Sequence, residues 1–429
     1  MKPRTIRAAA AVAGAALVAT ALGGCAAAGS GDGVTTLNFF QFKGEAIADF
    51  DELIAEFEAE NPDINVVQNA AADADTLIRT LLVKDRIPDV ITLNASGNFG
   101  RLAQAGVFYD FSNEPVLQTI NPAVQEILAD LGTYGDEVNG LGYVNNANGI
   151  IYNRDIFEAQ GLEVPQTWDE LIAVCDALQD AGISPFYGTL ADAWTGIPSW
   201  NALGAYPAQD GFFDKLRAQG EDVGPDSEVS FQKDFVEVME RQYQLYEYMQ
   251  DGYRGRTYDD GNAAFANGES AMLLQGIWAT NPIKQVNPDI NLGIFPYPTD
   301  DPDESMLVSG VDVVFTLGKN GAKHDAAMRF IEFAFQPEVQ ERFAASQNMV
   351  PSVEGAELGD DPALQSVAPY FDAGRITGFI DHQVPGSIPL QPIDQQFLFT
   401  GDVDAALKSL DSEWSKVAAR TIPVTGDDQ

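Results

Sequence analysis

The first part of the chain alternates hydrophobic runs with helical spacings of apolar residues. Residues 36–40 form a compact apolar run typical of a buried strand, and apolar residues then recur every three or four positions over 47–57, as on one face of a helix. A second run at 64–67, a second helical spacing at 77–82 and a third run at 88–93 follow. This order predicts a parallel sheet with right-handed crossovers, whose ligands bind beyond the carboxyl ends of the strands.

A polar insert interrupts the apolar stretch 142–157. Two β-prone segments flank residues 145–149, whose asparagines and glycine tolerate left-handed backbone and break a regular ladder. One interpretation is an extended crossing from one lobe to another beside a polar ligand. The second interpretation is a β-hairpin that turns at Asn148 and Gly149, because Asn-Gly is the strongest short hairpin signal. The local chemistry leaves both interpretations open.

The rest of the chain mixes helical and strand patterns. Thr167 and Glu170 have the spacing of a capping box, which predicts the start of a helix. Apolar residues at helical spacing over 231–249 predict a further helix. The pattern also predicts two more crossings, one near 292–300 and one near 348–351.

Length and charge narrow the class of protein. A chain of 429 residues is longer than chains that fold around a single hydrophobic core, so two lobes of ordinary size are expected. With 45% hydrophobic and 21% charged residues, the composition is that of a globular protein. The formal charge of −40 would repel nucleic acid phosphates, which excludes nucleic acid as a partner.

The N-terminal segment has the features of an export signal. Lys2, Arg4 and Arg7 precede an alanine-rich apolar run over 8–22, and Cys25 follows two glycines. A cysteine directly behind small residues resembles the lipobox of bacterial lipoproteins, in which the thiol receives diacylglycerol and the cysteine becomes the first mature residue. No later window offers about 18 consecutive apolar residues, so we expect attachment to the cell membrane by lipid alone, on the extracytoplasmic face.

The second cysteine and the two histidines offer little catalytic chemistry. Cys175 has no disulfide partner, and its place on the apolar face of a helical pattern predicts a buried structural thiol. His324 and His382 lack the spacing of metal ligands or of a nucleophilic triad, and no phosphate loop or dinucleotide fingerprint occurs. We therefore expect that the protein binds no cofactor and no metal and that it is not an enzyme. A glycoside hydrolase with paired carboxylates is the enzymatic alternative.

Motifs spread along the chain carry a resemblance to one family. They lie at 57–62, 88–90, 151–157, 165–171, 264–272, 276–278, 309–310 and 333–339. In this order they resemble the extracellular solute-binding lipoproteins of bacterial ABC importers, in the sugar-binding branch (family 1) that includes maltodextrin-binding protein. The resemblance implies an α/β, two-lobe periplasmic-binding-protein-like fold, with three inter-lobe crossings and a ligand cleft between the lobes. It therefore favours the crossing over the hairpin at 145–149.

The resemblance also implies a domain organisation and partners. The expected parts are a signal peptide at 1–24, a lipidated flexible tether at 25–33, a first lobe at 34–143 plus 301–348, and a second lobe at 144–300 plus 349–424. A monomer would capture a carbohydrate by hinge closure and deliver it to the permease subunits in the membrane. The region 188–195 resembles relatives that bind raffinose-type or isomalto-type oligosaccharides. A binding protein for a non-sugar solute and a scaffold lipoprotein are two competing hypotheses for the function.

Aromatic residues near predicted strand ends are the candidates for sugar stacking. A neutral sugar presents C–H patches, which aromatic faces cover, and hydroxyls, which carboxylates and amides satisfy. Trp194, Trp200 and Trp278 lie in such loops, and Trp278 matches the stacking residue of the family. Trp168, within the capping box, and Trp414, on a C-terminal helical face, are expected to be structural.

Two aspartates are the expected acceptors for sugar hydroxyls. Asp192 stands beside Trp194, and Asp312 follows Ser309-Gly310. Both could instead serve as a helix cap or a turn residue. The complete set of expected ligand-binding residues is Phe40, Gln41, Phe42, Asn94, Ser96, Asn146, Asn148, Asp192, Trp194, Trp200, Gly276, Trp278, Gly310, Asp312 and Gln347.

Replacement of the expected lipidation site tests the anchor. In Cys25→Ser the nucleophilic thiol is lost, so the chain should no longer incorporate labelled fatty acid and should leave the membrane fraction. Cys175→Ser is the matched control and should stay membrane-bound. Unchanged membrane attachment of Cys25→Ser would contradict the lipoprotein interpretation.

Overall fold

A computed structural model describes residues 34–70, 77–78, 80–81, 86–209 and 211–418. The expected signal peptide, most of the tether and Cys25 lie outside the described residues. In chain order the described strands are β1 (Thr35–Gln41), β2 (Ile64–Ala70), β3 (Val90–Leu93), β4 (Leu141–Asn145), β5 (Asn148–Asn153), β6 (Ser184–Phe186), β7 (Ser270–Gly276), β8 (Leu292–Phe295), β9 (Leu307–Val308), β10 (Val311–Thr316), β11 (Val350–Pro351) and β12 (Ile376–Thr377).

Helices account for most of the remaining structure. The described α-helices are α1 (Ile47–Glu60), α2 (Gly97–Gln104), α3 (Pro122–Ala129), α4 (Arg154–Gln160), α5 (Trp168–Asp180), α6 (Ile197–Gly204), α7 (Phe212–Gln219), α8 (Phe231–Asp234), α9 (Val236–Tyr246), α10 (Tyr258–Ala266), α11 (Thr280–Val286), α12 (His324–Ala334), α13 (Pro337–Gln347), α14 (Pro362–Asp372), α15 (Leu390–Thr400) and α16 (Val403–Ala418). Within the described part of the chain, none of the helices combines the length and the apolarity needed to cross a bilayer.

The first sheet has the strand order β11-β4-β10-β3-β1-β2. β1 pairs in parallel with both β2 and β3, as the alternation of strand and helix predicts. β10 runs antiparallel to β3 and β4, so the returning chain closes the sheet from the other direction. The carboxyl ends of β1 and β3 therefore lie beside the beginning of β10.

An aromatic cluster holds helices against the first sheet. The helical spacing of α1 turns Phe50 and Phe57 towards the sheet, and both are completely buried. Phe39 of β1 lies 5.1 Å from Phe50, Phe50 lies 4.8 Å from Phe343 of α13, and Phe57 lies 5.1 Å from Phe330 of α12, measured between ring centroids. Helices distant in sequence thus share one core with β1.

The second sheet has the strand order β12-β9-β5-β7-β6, with β8 also paired to β5. Neighbouring residues of β5 point to opposite sides, so Ile150 packs in one hydrophobic cluster and Ile151 in the other. Both residues are completely buried, which agrees with the uninterrupted apolar character of this strand. The two sheets with their helices form the α/β two-lobe architecture that the resemblance implies.

The crossing interpretation of residues 145–149 is confirmed. β4 pairs with β10 and β11 in the first sheet, whereas β5 pairs with β7, β8 and β9 in the second. Since β4 and β5 belong to different sheets, Asn148 and Gly149 form no hairpin turn. The chain passes between the lobes at Asn146 and Ala147.

Strand pairing places several residues in a different lobe from the one that the expected lobe bounds gave them. Val144 and Asn145 belong to the first sheet, as do Val350 and Pro351. The expected second crossing near 292–300 is wrong, because β8 pairs with β5 from Ile150–Phe295 to Asn153–Leu292 and so stays in the second sheet. The chain returns to the first sheet only after β9, at Ser309 and Gly310.

Residues expected to be structural lie in the core. Cys175 is completely buried, and this burial raises the pKa of its thiol far above the ordinary range. Trp168 is 5% exposed and donates from Nε1 to Gln244 at 3.1 Å, while Trp414 is 3% exposed. Thr167 and Glu170 form the capping box at the start of α5.

Asp394 of α15 is a carboxylic acid buried in the second lobe. It is 1% exposed, and its oxygens press against Gly196, where a Cβ would overlap them. Burial raises the pKa of Asp394 to about 7, opposed in part by the nearby Gln242 side chain. No lysine, arginine or histidine in the described ranges forms an ion pair with it.

This burial predicts a pH-dependent stability difference between the wild type and Asp394→Asn. Between about pH 4 and pH 7 the unfolded carboxyl loses its proton while the folded one keeps it, so Asp394 destabilises the fold increasingly as pH rises through this window. The Asn variant should gain on the order of 2–4 kcal/mol relative to wild type over that window in urea unfolding. Parallel stability profiles would contradict the assignment.

Candidate ligand-binding site

Reciprocal hydrogen bonds join the first two crossings. The backbone amide of Asn146 donates to the carbonyl of Gly310 at 2.9 Å, and the amide of Gly310 donates to Asn146 Oδ1 at 2.9 Å. The Ser309 hydroxyl donates to the carbonyl of Asn146 at 2.8 Å. Both chain segments between the sheets therefore act as one bonded unit. The expected contact residues Asn146 and Gly310 lie within it.

A second link spans the lobes at the end of α13. Asn348 adopts a left-handed conformation, with φ of 54°, and its side chain donates to the Thr280 hydroxyl at the start of α11. The adjacent Gln347 instead donates to Asp49 at 2.6 Å, within the first lobe. The lobes are thus connected by side chains as well as by the crossings.

Trp278 lies against the first crossing. The amide of Ile277 donates to the carbonyl of Ala147 at 2.9 Å, which brings the end of β7 to the crossing. Gly276 permits this approach, since a Cβ there would overlap both the Trp278 ring and the Ala147 carbonyl. Trp278 Nε1 donates to Gln275 at 2.9 Å, which orients the indole. The expected residues Gly276 and Trp278 therefore form one local arrangement.

Phe379 completes this arrangement and was missed in the sequence analysis. Its ring lies 6.3 Å from that of Trp278, at an interplanar angle of 50°. It also occupies the space above Gly310, where a Cβ would lie 2.6 Å from Phe379 Cδ2. Phe379 directly follows the two-residue strand β12 and Gly378, so a strand-end position was the available signal. Two aromatic rings thus border the bonded crossings.

Polar side chains gather where β1 and β3 end and β10 begins. The Lys43 ammonium lies 2.8 Å from Asp312 Oδ2, and the two side chains are 8% and 13% exposed. Asn94 donates to the carbonyl of Asp312 at 3.1 Å, and the amide of Lys43 donates to Gln41 Oε1 at 2.6 Å. An ion pair therefore lies at the topological switch point of the sheet, where ligands of such folds bind. Lys43 offsets the negative charge of Asp312 there, and it is absent from the expected set.

Asp192 and Trp194 lie in the second lobe beside α10. Asp192 Oδ2 accepts a hydrogen bond from the backbone amide of Tyr258 at 2.7 Å. The rings of Trp194 and Tyr258 are 4.9 Å apart, tilted by 57°. No hydrogen bond or ring contact between described residues joins Trp194, Trp278 and Asp312. The expected residues therefore form separate groups, one at each of these places.

Several expected contact residues are instead committed to the core. Trp200 is completely buried in α6 and packs on Phe235 at 5.7 Å, so no ring face is open to a ligand in this conformation. Phe40 is 2% exposed and Gln41 is completely buried. Asn148 is 1% exposed and donates to the carbonyl of Pro198 at 2.7 Å. In this arrangement of the lobes these four side chains expose almost no surface to a ligand, which differs from their expected contact role.

The remaining expected residues keep partial exposure. Phe42 is half-buried against the first hydrophobic cluster, at the loop that carries Lys43. Ser96 occupies the cap position of α2 without a hydrogen bond from its side chain to that helix. Asn94 and Asn146 are likewise partly exposed. These residues stay candidates for ligand contact.

A cavity of about 1210 Å³ lies between the lobes. The first lobe contributes residues of 95–133, and the second contributes residues of 205–220, 376–385 and 414–418. Gly310 and Phe379 line it, but Asp192, Trp194 and Trp278 do not. This cavity therefore borders the crossings without containing most of the expected contacts.

A hydrogen-bond chain crosses this cavity. Gln383 Nε2 donates to the carbonyl of Asp130 in the first lobe at 3.2 Å, and Gln383 Oε1 accepts from Arg217 at 3.1 Å. Burial and the neighbouring charge of Asp214 raise the pKa of the Asp130 carboxyl. Among the described residues, no group of three or more histidine, cysteine, aspartate or glutamate side chains could hold a metal ion.

Comparisons with known proteins identify the class. The two-lobe fold is that of periplasmic solute-binding proteins. A sequence model described as "Bacterial extracellular solute-binding protein" matches residues 52–368. The chain belongs to this family.

Named relatives share most of their length with the chain. The multiple sugar-binding protein of Streptococcus mutans is 25% identical over 335 residues, which cover 77% of this chain and 78% of that protein. The sn-glycerol-3-phosphate-binding protein UgpB of Escherichia coli K12 is 25% identical over 352 residues, covering 78% of each. Apo RafE from Streptococcus pneumoniae superposes with a TM-score of 0.80 at 26% identity, and RafE with raffinose with 0.73 at 25%. These alignments cover 91% and 90% of this chain, and all of RafE.

The close approach at Gly276 predicts a specific defect. In Gly276→Ala the new methyl group would displace the Trp278 ring, so the near-ultraviolet circular dichroism spectrum should change. The free energy of unfolding should fall by about 1–3 kcal/mol. Gly386→Ala is the control, because a Cβ there meets no atom within 4 Å. An unchanged spectrum and stability for Gly276→Ala would contradict the described packing.

Proposed function

We propose that this chain is the substrate-binding subunit of an ABC importer and that it captures a neutral oligosaccharide. The observation that carries the proposal is the aromatic pair Trp278–Phe379 placed directly against the bonded crossings. Aromatic faces beside an inter-lobe hinge suit the C–H surfaces of a sugar ring. The partly exposed amides of Asn94 and Asn146 supply hydrogen-bonding groups nearby.

Binding would act through the relative position of the lobes. A ligand that contacts both lobes favours the closed arrangement over the open one by its difference in affinity for the two. The crossings at Asn146 and Gly310 are the hinge in this mechanism, together with the chain that follows β11. The permease would recognise the closed arrangement. Strand pairing supports a first lobe of about 35–145 plus 310–351 and a second lobe of about 148–308 plus 362–418.

The relatives support a sugar of the raffinose class. RafE is described in complex with raffinose, and the streptococcal relative is named for multiple sugars. Applied to this chain, these names favour an oligosaccharide ligand. A micromolar dissociation constant, which we expect here, corresponds to a binding free energy of about −8 kcal/mol. Lipid attachment through Cys25 and a monomeric state complete the proposal.

A phosphorylated solute is the second candidate, because UgpB is named for sn-glycerol 3-phosphate. A phosphate needs cationic or bare amide donors at its site. Here the Lys43 ammonium is occupied by Asp312 at 2.8 Å, and both residues are largely buried. The charge pairing therefore favours a neutral ligand over an anion.

The test is a ligand panel with product analysis. Raffinose, stachyose, an isomalto-oligosaccharide and sn-glycerol 3-phosphate are screened by thermal shift and calorimetry, and each mixture is chromatographed for cleavage. We expect micromolar binding of at least one oligosaccharide without products. Trp278→Ala should weaken it at least tenfold. Tyr134→Ala, which removes a ring that is 47% exposed, is the control and should bind normally.

Three results would contradict the proposal. Binding of sn-glycerol 3-phosphate alone would assign an anionic ligand. Cleaved sugar would assign a glycoside hydrolase. Oligosaccharide binding unaffected by Trp278→Ala would place the ligand away from the Trp278–Phe379 pair.

A further inference from the structure

The segment that carries Asp192 and Trp194 is bonded along the chain that leads into α10. The amide of Leu190 donates to the carbonyl of Tyr253 at 3.0 Å, and the amide of Ala191 donates to the carbonyl of Arg256 at 2.9 Å. Gly261 of α10 packs so closely on Thr189 that a Cβ would overlap its methyl group. Backbone hydrogen bonds and close packing therefore join this segment to the start of α10.

Asp192 holds the first residue of α10. Thr257 and Asp260 already form a capping box there, satisfying the amides at the cap and at the third helical position. The amide of Tyr258 lies between them, and it donates to Asp192 Oδ2 at 2.7 Å. A carboxylate at this end of a helix is also stabilised by the helix dipole. Asp192 thus fixes Tyr258 from outside the helix.

The consequence is a defined pair of aromatic rings. Trp194 and Tyr258 are both partly exposed, with centroids 4.9 Å apart. One turn after Tyr258, Asn262 is 3% exposed, and its side-chain amide has no hydrogen-bond partner apart from the neighbouring Tyr258 hydroxyl. An aromatic pair beside a buried amide with further hydrogen-bonding capacity has the chemistry of a sugar subsite, with a ring face for C–H groups and a group able to bond a hydroxyl.

We propose that Trp194 and Tyr258 form a second aromatic subsite for the oligosaccharide, and that Asp192 is a positioning residue for Tyr258. This inference rests on the proposed function and extends it. β6 and β7 are parallel neighbours, so the loops that follow them, with Trp194 and Trp278, lie at the same edge of the second sheet. A ligand that contacts both aromatic pairs, this one and Trp278–Phe379, therefore contains more than one sugar ring. A monosaccharide occupies only one pair at a time and binds more weakly.

The experiment compares variants of the full mature domain with raffinose and stachyose by calorimetry. Tyr258→Ala should weaken binding roughly five- to tenfold. Asp192→Ala should weaken it similarly, because Tyr258 loses its support, whereas Asp192→Asn keeps an acceptor oxygen and should bind within about twofold of wild type. Thr257→Ala, which removes the cap of the same helix, should lower thermal stability while leaving the dissociation constant within about twofold.

Each outcome separates the two proposals. If wild type binds neither trisaccharide nor tetrasaccharide, the raffinose-class function fails and the subsite fails with it. If wild type binds but Tyr258→Ala and Asp192→Ala match it, the subsite alone is overturned. If Asp192→Asn is as weak as Asp192→Ala, the charge of Asp192 contacts the ligand and the positioning role is overturned. If Thr257→Ala weakens binding equally, general stability of α10 explains the losses and the subsite is overturned.

Discussion

The reciprocal hydrogen bonds between Asn146 and Gly310 are the constraint on which the arrangement of the lobes depends. Each residue lies where the chain leaves one sheet for the other. The Asn146 amide donates to the Gly310 carbonyl, and the Gly310 amide donates to the side-chain oxygen of Asn146. Paired in this way, the crossings satisfy their own polar groups without belonging to either sheet. These hydrogen bonds connect the two crossings directly, so both segments lie beside each other between the sheets. The rings of Trp278 and Phe379 border these two segments.

Close backbone contact at this hinge determines which aromatic residues reach it. Gly276 lets the end of β7 touch the first crossing, and Gly310 leaves room for Phe379. The two rings meet because a Cβ is missing at both positions. The glycines at the crossings thus leave the space that the two aromatic rings occupy, and the rings lie along the crossings as a result.

The chain is strongly acidic, but the two aspartates near the candidate site have partners that offset their negative charge. Asp312 is paired with Lys43, and Asp192 is bonded to the Tyr258 amide. Both aspartates that the sequence singles out therefore already have a partner within the protein. With 64 acidic residues against 24 basic ones, neutralisation at the switch point keeps this region suited to an uncharged solute.

The local pattern of the sequence predicted β1, β2 and β3, the capped helix at Thr167, the buried Cys175 and the motifs of the family, because periodicity and capping are local. It also singled out Trp278 and Gly310 at the hinge. The pairing of β8 in the second sheet, the burial of Trp200 and Gln41, and the contacts of Phe379 with Trp278 and of Lys43 with Asp312 could not be predicted from the local pattern. Burial and partner choice arise from contacts between residues far apart in the chain, and a single sequence contains no measure of those distances.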